Sequence, residues 1–386
     1  DMVLELVEQG VRVCVLTQVP SYPHDTLFPG YPNTTSIKTE RGAQIIRFKT
    51  VLGYQTSLFR KIMNYVAFML RACYYVLEHS RAVDSVFVYH TGPLTQALPL
   101  ALVKAVTRKH TVIWTQDVWP DTVFTYGLPE KGSLAVILKT FVRFVYCFAD
   151  DIIVSSPGFT DRLQPYLGKG KEARFVPQWV PNAFFLGTDI KVTLDGAGTR
   201  FIFTGNVGSM QNLENVIRAF GNVDPANATL YILGDGALRL TLKQLVAEQK
   251  IMNVHFLDSV SPSAVLSYIK ACDFSVLSLK SDRIISLTIP AKFQTYLAAG
   301  RPIFVVAKGE VRSIVEREDL GLGVDPDDIT AIARSIQEAA RSNDTERTMW
   351  VDRMSKLLER DYSKQSAMGK IMAAIWPDNL QNTRDI

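Results

Sequence analysis

RFIFTGNVGSMQNLENVIRAF, residues 200–220, decides how the chain folds. Its opening is a continuous aromatic and β-branched run ending at Thr204, which reads as a buried strand. From residue 213 the apolar positions recur at helical spacing (Leu213, Val216, Ile217, Phe220), and Gly205 and Gly208 lie between the two patterns. A buried strand that turns through glycines into an amphipathic helix is half of a βαβ unit. The pattern repeats outward through ATLYILGDG (228–236), LRLTLKQLVAEQ (238–249), NVHFLDS (253–259), a helix over 262–271, FSVLSL (274–279), PAKFQTYLAAG (290–300) and RPIFVVA (301–307). Apolar strands alternating with helices predict an α/β domain whose parallel sheet is covered on both faces.

The same rhythm precedes it. DMVLELVEQG (1–10) reads as a helix closed by Gly10, followed by the strands VRVCVLTQ (11–18) and AQIIRFK (43–49). A long helix over 57–78 leads to the strand SVFVYH (85–90), a helix over 94–104, the strand HTVIWTQD (110–117), an apolar helix over 134–148 and the strand DDIIVSS (150–156). VPQWVPNAFFLG (176–187), with two prolines, reads as a link. The division expected is a first Rossmann-like domain over 1–180, a second over 190–360, and a C-terminal helix and tail over 361–386 crossing back to the first.

Composition narrows the classes. With 386 residues, 47% hydrophobic and 21% charged, the chain suits two globular domains and argues against long disorder. The net charge of +4 is too mild to imply nucleic acid. Residues 1–180 hold 19 Lys and Arg against 14 Asp and Glu, which suits either an anionic partner surface or scattered solvated charge. The four cysteines (Cys14, Cys73, Cys147, Cys272) are far apart without a CxxC pair, so a disulfide framework or structural zinc is not expected, and a reducing compartment is. The apolar stretch 62–77 is interrupted by Asn64 and Arg71 and is too short to span a bilayer. No HExxH, GxSxG or Walker sequence occurs, which leaves metalloprotease, serine-hydrolase and P-loop readings unsupported.

In open α/β sheets ligands bind beyond the carboxyl ends of the strands, so the residues after strands carry the functional information. TGNVGSMQNLENV (204–216) offers free helix-terminal amides to a phosphate, or is an ordinary glycine turn. LGDGALR (233–239), with Asp235 and Arg239, is equally open. In TIPAKFQTYLAAGRPI (288–303), Lys292 sits in a first helical turn, against the helix dipole, which makes sense if an anion lies between; a solvated lysine is the alternative. His90 ends one strand and Asp117 follows the next, flanked by Trp114, Trp119 and Pro120, placed to orient a sugar or a hydroxyl, or to serve as a buried structural histidine and a turn cap.

Taken together, GVRVCVLTQVPSYP (10–23), QDVWPD (116–121), FADDIIVSSPGF (148–159), VPQWVPN (176–182), FTGNVGSMQNL (203–213), LGDG (233–236) and IPAKFQTYLAAGRPI (289–303) resemble the family-4 retaining glycosyltransferases of GT-B fold, nearest the bacterial O-antigen and exopolysaccharide subgroup. The resemblance implies two facing Rossmann-like domains and transfer of a hexose or N-acetylhexosamine, with retention, from a nucleotide-diphosphate sugar, UDP by subgroup, to a lipid-linked glycan in polysaccharide biosynthesis. Gly205, Asn206, Val207, Gly208, Gln211, Gly234, Asp235, Phe256, Leu257, Val260, Leu287, Thr288, Ile289 and Thr295 are the residues it places on the nucleotide sugar, with His90, Asp117 and Lys292 in the catalytic set. It implies no cofactor beyond the co-substrate, no metal, no nucleic-acid partner, and a cytoplasmic enzyme with a peripheral contact at the inner membrane. It also implies a strand and glycine-rich loop ahead of Asp1. The family's two glutamates would align near Leu287 and Thr295, and its cationic pair with Asn206 and Gln211, so charge compensation falls to Lys292, Arg283 and backbone amides. A non-catalytic relative or a sugar-nucleotide epimerase is the alternative reading. The long helix over 57–78 and the helix over 134–148 are read first as core and second as headgroup-docking helices.

Overall fold

The computed structural model describes residues 1–377 apart from 22–24, 55, 126 and 188–189; the tail expected beyond residue 377 lies outside the described residues. The chain divides into two units. One comprises 1–155, 159–176 and the segment from 368 onward, the other 156–158 and 177–367.

The first unit has two sheets where the sequence predicts one. Strands β1 (Cys14–Gln18), β2 (Ser36–Glu40) and β3 (Ala43–Phe48) form a sheet of order β1-β3-β2. Here β3 runs parallel to β1 and antiparallel to β2. The sequence gives little sign of β2, because SIKTE carries one apolar residue and Ile37 faces solvent. Strands β4 (Ser85–His90), β5 (His110–Thr115), β6 (Asp151–Val154) and β7 (Ala173–Phe175) form a second, wholly parallel sheet in that order. Among the described residues neither β1 nor β4 has a second strand neighbour, and residues 13–18 and 85–89 line a common cavity of about 580 Å³. Ile46, Phe48 and Ala72 form a small core beside it, backed by Leu16, Phe68 and Tyr75.

The second unit is a single parallel sheet. Strands β8 (Thr199–Thr204), β9 (Ala228–Leu233), β10 (Val254–Leu257), β11 (Phe274–Ser278), β12 (Ile303–Val306) and β13 (Gly321–Val324) are ordered β10-β9-β8-β11-β12-β13. β9 and β11 are buried at every position, including the polar Thr229, Ser275 and Ser278, as strands of a sheet covered on both faces. Phe201 is the hub of the core: its ring stacks on Phe274 at 5.1 Å and meets Phe304 edge-on at 5.5 Å. The helix Leu213–Gly221 buries Leu213, Val216, Ile217 and Phe220, the face its spacing predicts. Because β9 and β10 are laid down on one side of β8 and β12 and β13 on the far side of β11, the winding direction reverses between β8 and β11. That reversal opens a crevice beyond the carboxyl ends of those two strands.

Candidate functional site

The switch point of the second unit collects most of the expected residues. After β8 the chain passes through Gly205–Gly208 and a 3₁₀ turn over Ser209–Gln211; after β11 it returns through a turn over Ile285–Leu287 into the helix Lys292–Ala299. These two connections bring Lys292 and Gln211 together across 81 positions of sequence, with Lys292 Nζ donating to Gln211 Oε1 at 2.6 Å. The ammonium also sits 3.7 Å from the centroid of the Phe203 ring, a cation–π contact. Among the described residues no carboxylate is bonded to this lysine. Burial pulls its pKa down to about 7, so near neutral pH the site holds a desolvated, partly charged amine with one neutral partner and an aromatic floor. Such a group gains most from an incoming anion, because the anion supplies the counter-charge the protein withholds.

Beside it, the turns after β8 and β9 interlock. Gly205 N–H donates to Leu233 O, Val207 N–H to Asp235 O, and Leu238 N–H to Val207 O. The approach is too close for side chains: a Cβ on Gly234, whose φ is +142°, would lie 2.0 Å from Gly205 O, and one on Gly236 would lie 2.5 Å from Val207 O. Gly205 and Asn206 are left exposed at the crevice. Val207 is placed otherwise: its side chain is fully buried in the core and both its backbone groups are engaged, so it shapes the turn and offers a ligand nothing. Asp235 is exposed with its carboxylate accepting from Gly236 N–H. Ile289 is buried, and the hydroxyls of Thr288 and Thr295 donate back to Ile284 O and Ala291 O of their own turns. No carboxylate therefore stands at either glutamate-aligned position. Leu287 is partly buried, and its carbonyl accepts from Ser156.

Arg239 does more than its place in the LGDGALR turn suggests. Its side chain is buried and curls back so that Nη1 donates to Gly234 O (2.7 Å) and Leu257 O (3.0 Å), while Nη2 pairs with Asp258 at 2.8 Å. The guanidinium lies 5.9 Å from the Phe256 ring, and Lys243 Nζ lies 5.8 Å from the same ring. One cation thus ties the turn after β9 to the loop after β10, with Val260 partly buried at its far end. The available signal was a lone arginine just after a glycine turn, five residues beyond Gly234.

In the first unit, His90 and Asp117 end adjacent strands, as expected. His90 pairs with Thr115 across the sheet, and Gln116 N–H donates to His90 O. The imidazole is completely buried, and among the described residues neither nitrogen has a hydrogen bond of normal geometry, although the Gly92 backbone lies close enough to act on the ring. Burial depresses its pKa to about 4, against a small opposing effect of the Gly92 backbone, and keeps the ring neutral near pH 7. Asp117 accepts from Thr122 Oγ1 at 2.5 Å, and burial raises its pKa above the ordinary carboxylate value. A neutral histidine with neither nitrogen in a normal hydrogen bond is a group held ready for a partner. Among the described residues no group of three or more His, Cys, Asp or Glu is placed to hold a metal ion.

Known proteins resemble this chain in sequence and in fold. Residues 198–342 match the sequence model described as glycosyl transferases group 1. A protein named as a glycosyltransferase, WbjE of Pseudomonas aeruginosa, is 26% identical over 301 residues, 74% of this chain and 73% of its own. One named for glycosyl transfer in colanic acid biosynthesis, WcaI of Escherichia coli K12, is 22% identical over 356 residues, covering 88% and 86%. In structure, sucrose-phosphate synthase of Thermosynechococcus elongatus superposes with a TM-score of 0.72 at 14% identity, covering 96% of this chain and 90% of that one. HepE of Anabaena, solved with UDP-glucose, gives 0.61 at 12% identity, covering 80% and 82%. The chain thus has the fold of the GT-B glycosyltransferases, with the group 1 glycosyl transferase pattern in its second unit.

Proposed function

We propose that the protein is a retaining glycosyltransferase of surface or exopolysaccharide synthesis that takes its sugar from a nucleotide diphosphate, UDP in preference to GDP or ADP, and passes it to a lipid-linked glycan. The observation that carries this reading is Lys292, a desolvated amine without a carboxylate partner among the described residues, set at the switch point of a sheet whose sequence matches group 1 glycosyl transferases. Lys292 neutralises the diphosphate as it leaves, and Gln211 and the Phe203 ring hold the ammonium in place. The exposed backbone at Gly205 and Asn206 and the first amides of the Lys292–Ala299 helix share the phosphate charge. The 256–260 loop, fixed from beneath by Arg239, receives the base. The acceptor hydroxyl attacks from the leaving-group face, so retention needs no carboxylate nucleophile, in keeping with the neutral residues at 287 and 295. His90 and Asp117 orient the reacting hydroxyls, and the reaction draws on no metal or further cofactor.

The test is calorimetry with UDP, GDP and ADP on the wild type and on Lys292→Met. UDP should bind best and lose at least about tenfold in affinity, ~1.4 kcal/mol, in the variant. A folded wild type that binds none of the three, or a Lys292→Met protein that binds UDP as well as the wild type, overturns the donor site.

A further inference from the structure

The helix Lys292–Ala299 carries, one turn beyond Lys292, a tyrosine whose bonds the donor site leaves unexplained. Tyr296 is completely buried, and residues four apart on a helix share a face, so it lies on the same side of the helix as Lys292. Its hydroxyl reaches both strands that flank the switch point. It accepts from Thr204 N–H at 3.0 Å, at the end of β8, and donates to Val276 O at 3.0 Å, in β11. Its second lone pair takes the Thr204 hydroxyl at 3.3 Å. A phenol offers one proton and two lone pairs, and all three are in use. Burial pushes its pKa up to about 12, so the proton given to Val276 O is kept near neutral pH.

The position of these bonds in the sheet gives them their meaning. β8 and β11 pair only at Phe201 with Phe274 and at Ile202 with Ser275, whereas the other neighbouring strands of the sheet share four to six partners. Bonds of a parallel ladder recur at every second residue, so the same register carried further would have Thr204 N–H donate to Val276 O directly. Those are the two groups that the Tyr296 hydroxyl joins. The side chain is therefore inserted into a rung of the ladder. It parts the carboxyl ends of β8 and β11, beyond which the crevice lies, and leaves neither backbone group unsatisfied.

The same insertion fixes the helix. Phe203, whose ring lies 3.7 Å from Lys292 Nζ, immediately precedes Thr204, so the helix is anchored to β8 one residue from the ring on which its lysine rests. We propose that Tyr296 is a positioning residue for the donor: by holding β8 and β11 apart it sets the width of the crevice, and it keeps Lys292 between Phe203 and Gln211, where the lysine meets a nucleotide diphosphate. This role rests on the donor-site reading of Lys292 and extends it from the group that meets the anion to the group that places it. Without the hydroxyl, Thr204 N–H and Val276 O either pair directly, which closes the strands, or take up water. Both rearrangements shift the helix against β8.

The experiment compares the wild type with Tyr296→Phe, which keeps the ring and removes only the hydroxyl, and with Ile336→Val, which trims the same core from a helix that carries none of the donor-site residues. Lysine-selective NMR of the protein without nucleotide follows the titration of Lys292, and calorimetry follows UDP. In Tyr296→Phe, Lys292 should titrate nearer the ordinary lysine value, because water reaches the amine, and UDP should bind about tenfold or more weakly. Ile336→Val should change neither. In the wild type, where no substitution can impair folding, the Tyr296 hydroxyl proton should show a direct NMR contact with the Thr204 amide. A Tyr296→Phe protein in which either the titration or the UDP affinity stays at the wild-type value, an Ile336→Val protein that shifts both as far, or the lack of that contact would each overturn the proposal. Wild type that binds no UDP would remove the donor site instead, and the titration, read without nucleotide, would still show whether Tyr296 places the lysine.

Discussion

Lys292 is the residue whose state is most sensitive to its surroundings. Its pKa of about 7 lies far below the usual lysine value, so between those two values the unfolded chain binds a proton that the folded chain does not. Stability should therefore rise with pH from 7 upward, by about 1.5 kcal/mol to pH 8.5. Urea titrations of the wild type at a series of pH values should show this rise, and Lys292→Met should lack it. Binding a diphosphate should recharge the lysine, so at pH 8 calorimetry in buffers of different ionisation enthalpy should record net proton uptake in the wild type and less in the variant. For His90 the shift is also downward, to about 4. Its contribution is complete above pH 6.5 and is lost as pH falls toward 4, up to about 3 kcal/mol. A His90→Gln protein should show a smaller acid-induced loss than the wild type across that window. Gly234 is limited both by space and by its φ of +142°: with a Cβ only 2.0 Å from Gly205 O, Gly234→Ala should cost about 3 kcal/mol or more by chemical denaturation.

Among the elements, the turns after β8, β9 and β10 behave as one assembly because their hydrogen bonds run between turns. Arg239 is the tie between the last two, and its bonds go to backbone oxygens and to Asp258. In an assay with a UDP-sugar donor, Arg239→Met should raise the donor KM by about tenfold and leave kcat within about twofold, the split expected of a residue that positions a binding loop. Arg239→Lys should recover little of the loss, since an ammonium cannot bridge two carbonyls and a carboxylate in one plane. A kcat that falls as far as KM rises would place Arg239 in the chemistry instead. The Leu58–His79 helix shows the opposite limit: its elongated apolar pattern announces a helix, yet the pattern alone does not say which side is buried.

For the molecule as a whole, each unit has its own core, and a nucleotide bound in the second should stabilise that unit selectively. At a UDP concentration of 100 times Kd the gain is about 2.7 kcal/mol. Hydrogen exchange should accordingly slow in β8, β9 and β11 with UDP present and stay unchanged in β5 and β6. Much of this architecture is legible locally. The runs FIF, LYIL and IFVV are continuous because strands buried on both faces favour apolar side chains on each, and the glycines at 205, 234 and 236 announce turns that approach closely. The position of Lys292 in a first helical turn follows from a pattern within twenty residues, whereas the group 1 match needs the 198–342 stretch as a whole. The pairing of Lys292 with Gln211 and Phe203, the return of Arg239 to Leu257, the burial of His90 without a hydrogen bond of normal geometry, the antiparallel β2 and the division of the first unit into two sheets are not legible in this way. These depend on which strands become neighbours and which helix face meets a sheet. Local periodicity determines that a strand or helix forms; only packing between segments far apart in the chain decides what each side chain finally touches, and with it the charge that Lys292 and His90 carry.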